Sequence, residues 1–263
     1  MELRARALNA FSLADPHEKV HEVLQLWQAR PSLALDTAAA FAAPADYGHP
    51  AVPRLVPPHT VARRSPFTAE GHAALMHSIA HIEFNAINLA LDAMWRFSGM
   101  PERYYFDWLQ VAAEEAKHFS LLQAHLQGAG FSYGDFDAHD GLWTMCESTR
   151  DDVVARMALV PRTMEARGLD ATPIIQAKLR RVATPDAMQA IAILDVILAD
   201  EVGHVAIGNQ WYHWLCEQRG IDACDFYAQA AIQHRAPRLK PPFNILARRQ
   251  AGFTDTEIQA LPV

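Results

Sequence analysis

The sequence predicts an all-α protein centred on a four-helix bundle, with an extra N-terminal helix, a proline-rich arm and short C-terminal helices. Three observations predict this class. Glycine accounts for only 12 of the 263 residues, and strong helix formers are frequent. Long segments repeat apolar residues at helical spacing and are separated by short turns that contain glycine or proline. Two of these segments carry the same motif, Glu-x-x-His.

The N-terminal part begins with a helix and continues as an arm. Asp15 is a capping residue and Pro16 suits the first helical position, so a helix is expected from there to Pro31. Residues 31–67 contain seven of the sixteen prolines, and regular structure is not expected in them. Apolar side chains such as Phe41 predict that this arm is ordered and packs on the bundle. Residues 1–67 therefore form the first predicted part.

The first two bundle helices form a predicted hairpin. The first helix covers the stretch Thr68–Phe97, with Thr68 as its cap. Gly99 and Pro101 mark a short turn, and the second helix runs from about Pro101 to Gln127.

The third and fourth helices complete the bundle, which is expected to span residues 68–219. The third begins at about Asp140, with a kink at Pro161 and a second interruption over 168–173. The fourth begins at Pro185 and ends before Gly220. Residues 220–263 are expected to form a C-terminal helix and a basic tail, and the whole chain is expected to be a single domain.

Composition and charge exclude several classes of protein. The net charge of −7 gives no general attraction to nucleic acid or to an anionic membrane. No apolar run reaches the roughly 18 residues of a membrane span, and the N-terminus lacks the apolar core of a signal peptide. Cys146, Cys216 and Cys224 form no C-x-x-C pair and suggest no disulfide framework. These features favour a cytoplasmic protein.

The repeated motif supplies the candidate site. Glu115 and His118 lie three residues apart, as do Glu201 and His204. On a helix this spacing puts a carboxylate and an imidazole on one face, where they could bind one metal ion together. A four-helix bundle can bring both faces to one interior site.

Two further glutamates lie as far from the helix turns as the glutamates of these motifs. Glu83 lies 16 residues before Gly99 and Glu115 lies 16 after it (99 − 83 and 115 − 99). Glu165 and Glu201 each lie 18 residues from Ala183 (183 − 165 and 201 − 183). In an antiparallel hairpin, residues equally far from the turn lie side by side. A carboxylate among apolar positions must also be paired or bind a metal, because burying a bare charge is costly.

Two acids are candidates for supporting the histidines. Glu114 lies four residues before His118, and Asp200 lies four before His204. Each is expected to bind the ring nitrogen that its histidine does not offer to the metal. The alternative is an ordinary ion pair on the helix surface. Glu147 is the alternative to Glu165 on the third helix.

In helix order, Glu83, Glu115-Ala-Lys-His118, Glu165 and Asp200-Glu201-Val-Gly-His204 resemble the ligand set of the ferritin-like di-metal carboxylate proteins. With its arm and the stretch 164–170, the chain resembles an uncharacterised bacterial family of that superfamily. This family is similar, more distantly, to the tRNA hydroxylase that acts on methylthio-isopentenyl-adenosine. Ferritins proper lack the arm and the broken third helix, so storage in a cage is not expected.

The resemblance implies a ferritin-like fold and two metal ions, Fe/Fe or Fe/Mn. It makes Glu83 and Glu165 terminal ligands and Glu115 and Glu201 bridging ones. The remaining two ligands, His118 and His204, would each bind one metal. Beyond the metal centre, no catalytic residue is assigned.

The expected function is an O₂-dependent oxidoreductase, such as a hydroxylase, acting on a small molecule that the sequence does not identify. Its partners would be dioxygen and an electron donor. A homodimer is the oligomeric state that is considered. Binding to a membrane or to nucleic acid is not expected. The alternatives are an iron-handling ferroxidase or metal-binding protein without organic substrate, a tRNA-modifying hydroxylase, and a bundle whose polar groups are purely structural.

Two further groups are left unassigned by the sequence. His81 lies about 200° around the helix from Glu83, and His77 and His81 are expected to pack elsewhere, against the arm. The basic residues of the tail suit either an anionic ligand or a surface-packed terminus, and they are Arg235, Arg238, Lys240, Arg248 and Arg249.

Overall fold

The computed structural model describes residues 2–44 and 47–262, and it confirms the all-α fold class. Within these residues there is no β-strand, and extended pairing is limited to two isolated bridges, Glu2 with Ala34 and Leu55 with Ala138. The α-helices, in chain order, are α1 (Leu3–Ser12), α2 (Pro16–Ala29), α3 (Ala69–Arg96), α4 (Glu102–Gly128), α5 (Gly141–Ser148), α6 (Val153–Leu159), α7 (Ala166–Val182), α8 (Pro185–Arg219), α9 (Ala223–Gln233), α10 (Ile245–Gln250) and α11 (Asp255–Gln259).

The chain divides into two compact units. The first comprises Met1–Gly141 with Thr184–Ile193, and the second comprises Leu142–Ala183 with Leu194–Val263. The start of α8 belongs to the first unit and the rest of that helix to the second. The boundaries expected from the sequence, after residues 67 and 219, stay a prediction.

In the first unit, α3 and α4 form the predicted antiparallel hairpin. The Thr68 side chain accepts a hydrogen bond from the Gly71 N–H, which caps α3. Gly99 adopts a positive φ of 76° in the turn, a conformation that favours glycine. The Phe84 and Phe119 rings lie 5.5 Å apart across the two helices. The two helices therefore pack against each other next to Glu83 and His118.

The N-terminal part contains two helices, whereas the sequence predicted one. The predicted helix is present as α2 with Asp15 as its cap, and the additional helix α1 precedes it. The buried residues of α1 are Leu3, Arg4, Ala7, Ala10 and Phe11. Two alanines on the buried face make a weak hydrophobic signal, and an arginine there obscures it.

Arg4 explains why α1 packs so closely in the first unit. It is fully buried, and its guanidinium donates to the carbonyl oxygens of Met94 and Trp95 at the end of α3. It also donates to the carbonyls of Asp36, Thr37 and Ala39 in the arm. Arg4 thus provides hydrogen bonds for backbone groups that have no helical or sheet partner.

The described residues of the arm are largely irregular. Its only regular turns among the described residues are 3₁₀ turns at Arg30–Ser32 and Pro58–Thr60. The Val56 N–H donates to the Ala138 carbonyl at 2.8 Å, and the exposed Arg54 pairs with Asp137. The arm is therefore attached to the connection that follows α4.

In the second unit, the predicted third helix is divided into α5, α6 and α7. Thr149–Asp152 separates α5 from α6, a break that the sequence analysis did not predict. The predicted distortion at Pro161 is confirmed as a π-helical segment, Val160–Glu165. A Cβ on Gly208 of α8 would lie 2.4 Å from the Pro161 Cβ, so only glycine lets the segment approach this closely.

The second interruption, predicted over 168–173, was wrong. Pro173 lies inside the continuous helix α7. Proline cannot donate to the carbonyl four residues earlier, which is that of Leu169. The side-chain amide of Asn244 donates to this carbonyl instead, at 3.2 Å. A residue distant in sequence thus reduces the cost of a proline within the helix.

The tail of the second unit is organised by two buried arginines. Arg248 is fully buried and pairs with Asp170 at 2.6 Å. Arg162, in the π-helical segment, pairs with Glu257 at 2.6 Å, and His213 contacts the same carboxylate oxygen at 2.9 Å. These pairs attach α10 and α11 to α7 and to the π-helical segment.

Replacing Arg248 by alanine is expected to destabilise the protein strongly. It would leave Asp170 without its buried partner, at a cost of about 3–5 kcal/mol. The matched control is Arg249→Ala, because Arg249 is exposed and pairs with the exposed Asp255. That change should cost less than about 1 kcal/mol. Urea unfolding of both variants measures the difference, and equal losses would contradict the buried pair's role.

The contribution of ionised Glu257 to the free energy of unfolding is expected to disappear at acid pH. Burial alone would raise the pKa of Glu257, but the His213 hydrogen bond and the Arg162 charge outweigh it and lower that pKa to about 2. A carboxyl whose pKa is lower in the folded state stabilises it above the unfolded pKa of about 4.5, and this contribution disappears as the pH falls towards 2. The difference in unfolding free energy between wild type and Glu257→Gln should therefore shrink between about pH 7 and about pH 3. A constant difference would contradict this origin.

Candidate metal centre

Three of the predicted ligands come together on α3 and α4. Glu83 is 4% exposed, and Glu115 and His118 are fully buried. The His118 Nδ1 lies 3.2 Å from the Glu83 Oε2 and 3.4 Å from the Glu115 Oε2. The equal spacing of the two glutamates from Gly99 therefore does place both beside the same imidazole. Helical spacing supplies one contact and the antiparallel hairpin supplies the other.

The electrostatics of this group reflect two carboxylates around one imidazole. Burial alone would lower the pKa of His118, but hydrogen bonds and charge interactions with Glu115 and Glu83 raise it to about 11. Without a metal, the imidazolium thus supplies positive charge that stabilises the ionised carboxylates. A metal cation that bound there would displace this proton and take over the same role.

The second motif repeats this local geometry on α8. His204 is fully buried and Glu201 is 8% exposed, and the His204 Nδ1 lies 3.6 Å from the Glu201 Oε1. In both motifs the Nδ1 atom faces the glutamate three residues earlier. Glu165 is the last residue of the π-helical segment and is 7% exposed. All three residues are buried, as expected of ligands rather than of a solvated helix face.

Four of the six predicted ligands form one group. Glu83, Glu115, His118 and Glu201 each offer a ligand atom, and these four atoms all lie within 4.8 Å of one another. Glu165 and His204 lie outside this group. Three carboxylates and one imidazole are hard-oxygen and nitrogen donors, and a buried cluster of this kind could bind a metal ion. The role of all six residues as ligands stays a prediction.

The supporting acids are less deeply placed than the ligands. Glu114 and Asp200 are both half-buried, and the Gln110 side chain donates to Glu114 at 3.1 Å. Their expected bonds to His118 and His204 stay a prediction. Glu147, the alternative to Glu165, is exposed on α5 and pairs with Arg150. Its position therefore gives no support to a ligand role.

The structure places His77 and His81 against the connection after α4. The His77 Nε2 accepts a hydrogen bond from the Gly134 N–H, and the His81 Nδ1 lies 2.9 Å from the Tyr133 hydroxyl. Burial lowers the pKa of each ring to about 4. Both are therefore neutral packing groups at neutral pH.

The basic tail is not one continuous surface. Arg248 is buried against Asp170 and Arg249 pairs with Asp255, while Arg235, Arg238 and Lys240 are exposed. The buried Arg248 was not expected from the sequence, because nothing local distinguishes it from Arg249. Its acceptor lies 78 residues earlier.

Comparisons with known proteins place the chain in a family without assigning an activity. Residues 12–259 match the family described as "Protein of unknown function (DUF455)". A Haemophilus influenzae relative described as "Uncharacterized protein" is 51% identical over 216 residues, which cover 80% of this chain and 74% of the relative. No solved structure matches the chain significantly. Within residues 2–44 and 47–262, no helix is both long and apolar enough to cross a membrane.

Removing the Glu115 charge is expected to weaken metal binding. The Glu115→Gln variant keeps the volume of the side chain but loses an anionic donor, so the metal affinity should fall at least tenfold. Glu147→Gln is the matched control, because Glu147 is an exposed acid outside the cluster. Elemental mass spectrometry of each variant, after anaerobic loading with Fe(II) and desalting, measures the metal retained per chain. Full retention by Glu115→Gln would contradict the site.

Proposed function

Because the chain belongs to the family described as "Protein of unknown function (DUF455)", we propose its function from the buried cluster itself: a di-metal carboxylate protein that carries out O₂-dependent oxidation of a small molecule. The observation that carries the proposal is the group of four ligand atoms within 4.8 Å, from Glu83, Glu115, His118 and Glu201. A structural bundle has no need for three buried acids around one histidine.

The repeated motif supports two metal ions rather than one. Each Glu-x-x-His pair presents a carboxylate and an Nδ1 atom from one helix face. In the proposed centre, His118 would help to hold one metal and His204 the other, and the four glutamates would supply the oxygen donors, namely Glu83, Glu115, Glu165 and Glu201. The ferritin-like arrangement of the four bundle helices is part of this proposal.

The donor set favours redox-active metals. Carboxylates and imidazole suit Fe(II) and Mn(II), whereas structural zinc sites are closed and rich in thiolate. Iron, alone or with manganese, would supply the capacity to reduce dioxygen. The chain's own groups would fix the ligands in place and limit water, since all six proposed ligands are buried.

The π-helical segment supports the functional interpretation. π-Helical turns are less stable than α-helical ones and are frequent at functional sites. Val160–Glu165 ends at a proposed ligand, and Arg162 within it is held by Glu257 and by Asn209 at 3.1 Å. These contacts would set the position of Glu165.

The compartment proposed for this chemistry is the cytoplasm. Cys146, Cys216 and Cys224 are free cysteines, which suits a reducing environment. An intracellular electron donor would then be available to the centre.

The test is O₂ consumption by anaerobically reconstituted protein. Full-length protein loaded with Fe(II), or with Fe(II) and Mn(II), is mixed with oxygenated buffer and a chemical reductant in an oxygen electrode. We expect two metal ions per chain and sustained O₂ uptake. The variants Glu115→Gln and Glu201→Gln should lose both, while Glu147→Gln should retain both.

Other outcomes contradict the proposal in distinct ways. A single burst of O₂ uptake with Fe(III) accumulating would instead indicate iron oxidation without an organic substrate. Metal binding with no O₂ uptake would exclude the oxidase function and leave a metal-binding protein. Failure to retain any metal would exclude the di-metal centre.

A further inference from the structure

A pair of buried histidines in the first unit lies apart from the Glu/His cluster. His72 is in the first turn of α3, and His125 is in the last turn of α4. Their Nε2 atoms are 3.0 Å apart, and the two ring planes make an angle of 66°. The exposed fractions are 6% for His72 and 4% for His125. No local sequence pattern indicates this pair, because the residues are 53 positions apart.

The histidine pair is separate from the proposed di-metal centre. His72 precedes Glu83 by 11 residues (83 − 72), and His125 follows His118 by 7 residues (125 − 118). At about 1.5 Å of rise per residue, these separations correspond to roughly 16 Å along α3 and roughly 10 Å along α4. A metal ion bound by Glu83 or His118 is therefore too far away to reach the pair.

The spacing of the two nitrogens suits a shared metal ion. Metal–nitrogen bonds to histidine are about 2.0–2.1 Å long. Two such bonds that meet at about 90–110° place the nitrogens about 2.9–3.4 Å apart. The observed 3.0 Å lies within this range. The ring centroids are 5.3 Å apart, so the two Nε2 atoms point at each other and both rings would tilt to bind one ion.

The protonation of the pair is also compatible with metal binding. Neither Nδ1 atom has a hydrogen-bond partner among the described residues, and the Gln189 side chain forms a hydrogen bond with the His125 ring. Burial lowers the pKa of both rings, and the charge of His125 lowers that of His72 further. Both rings are thus neutral at neutral pH, the form that binds metals.

The charge of one carboxylate acts on both rings. Asp186 is the second residue of α8, in the part of that helix that belongs to the first unit. Its charge acts on both histidines and partly opposes the effect of burial on their pKa values. Imidazole nitrogens are ligands that zinc-class ions prefer, and the negative charge of Asp186 favours a cation bound to the two rings.

We propose that His72 and His125 bind one divalent transition-metal ion of the class that prefers imidazole, such as Zn²⁺, through their Nε2 atoms. This site is distinct from the di-metal centre and does not depend on the function proposed for it. The ion would join the start of α3 to the end of α4. Its role would be to stabilise the open end of the hairpin, opposite the Gly99 turn.

The test is a zinc titration of metal-free, full-length protein in competition with a chromophoric chelator. We expect His72→Gln and His125→Gln each to bind one zinc ion fewer than wild type. His59→Gln is the matched control, because His59 is exposed in the arm, and it should bind as many zinc ions as wild type. Circular dichroism and Fe(II) loading of each variant verify that the fold and the other site are intact.

A measurement on the unmodified protein makes the test independent of variant folding. Crystals of wild-type protein grown with Zn²⁺ and measured at the zinc absorption edge should show an anomalous peak between the two Nε2 atoms. Absence of that peak would overturn the proposal whatever the titration gives, and the pair would then be a hydrogen bond between two neutral rings. Unchanged zinc binding in both His72→Gln and His125→Gln would overturn it as well.

Discussion

A carboxylate that leaves water needs positive charge beside it, because the uncompensated cost is several kcal/mol per ion. This constraint governs the interior of the protein. Glu83 and Glu115 are buried within hydrogen-bonding distance of the same imidazole, and their charges raise the pKa of His118 far above its ordinary value. The hairpin of α3 and α4 therefore brings together charges that require a cation.

Elsewhere the same constraint is met by arginine. Asp170 is paired with the buried Arg248, and Glu257 with the buried Arg162. A guanidinium stays charged at any physiological pH, so these pairs are permanent attachments between α7, the π-helical segment and the tail. His118 differs because its proton can leave when a metal arrives. The arginine pairs therefore only stabilise the fold, whereas the Glu/His cluster can exchange its proton for a metal ion.

Local sequence signals predicted the helix ends well. Asp15 and Thr68 cap α2 and α3 because their side chains accept hydrogen bonds from backbone N–H groups two or three residues later. The proximity of Glu83 and Glu115 was predictable for a similar reason. In an antiparallel hairpin with a short turn, residues equally far from the turn lie side by side. By contrast, α1 was missed because its buried face combines alanines with Arg4, whose acceptors lie in the arm and at the end of α3.

The sequence by itself determined approximately where α2, α3, α4 and α8 begin and end, and that each Glu-x-x-His motif puts its two side chains on one face. These features depend on residues within about one turn or one hairpin. Only the tertiary structure decided that α7 continues through Pro173, because the Asn244 amide that satisfies the Leu169 carbonyl lies 75 residues away. It also decided that His72 meets His125 and which four ligands form one group. Such partners are chosen by packing between distant segments, which no local pattern encodes.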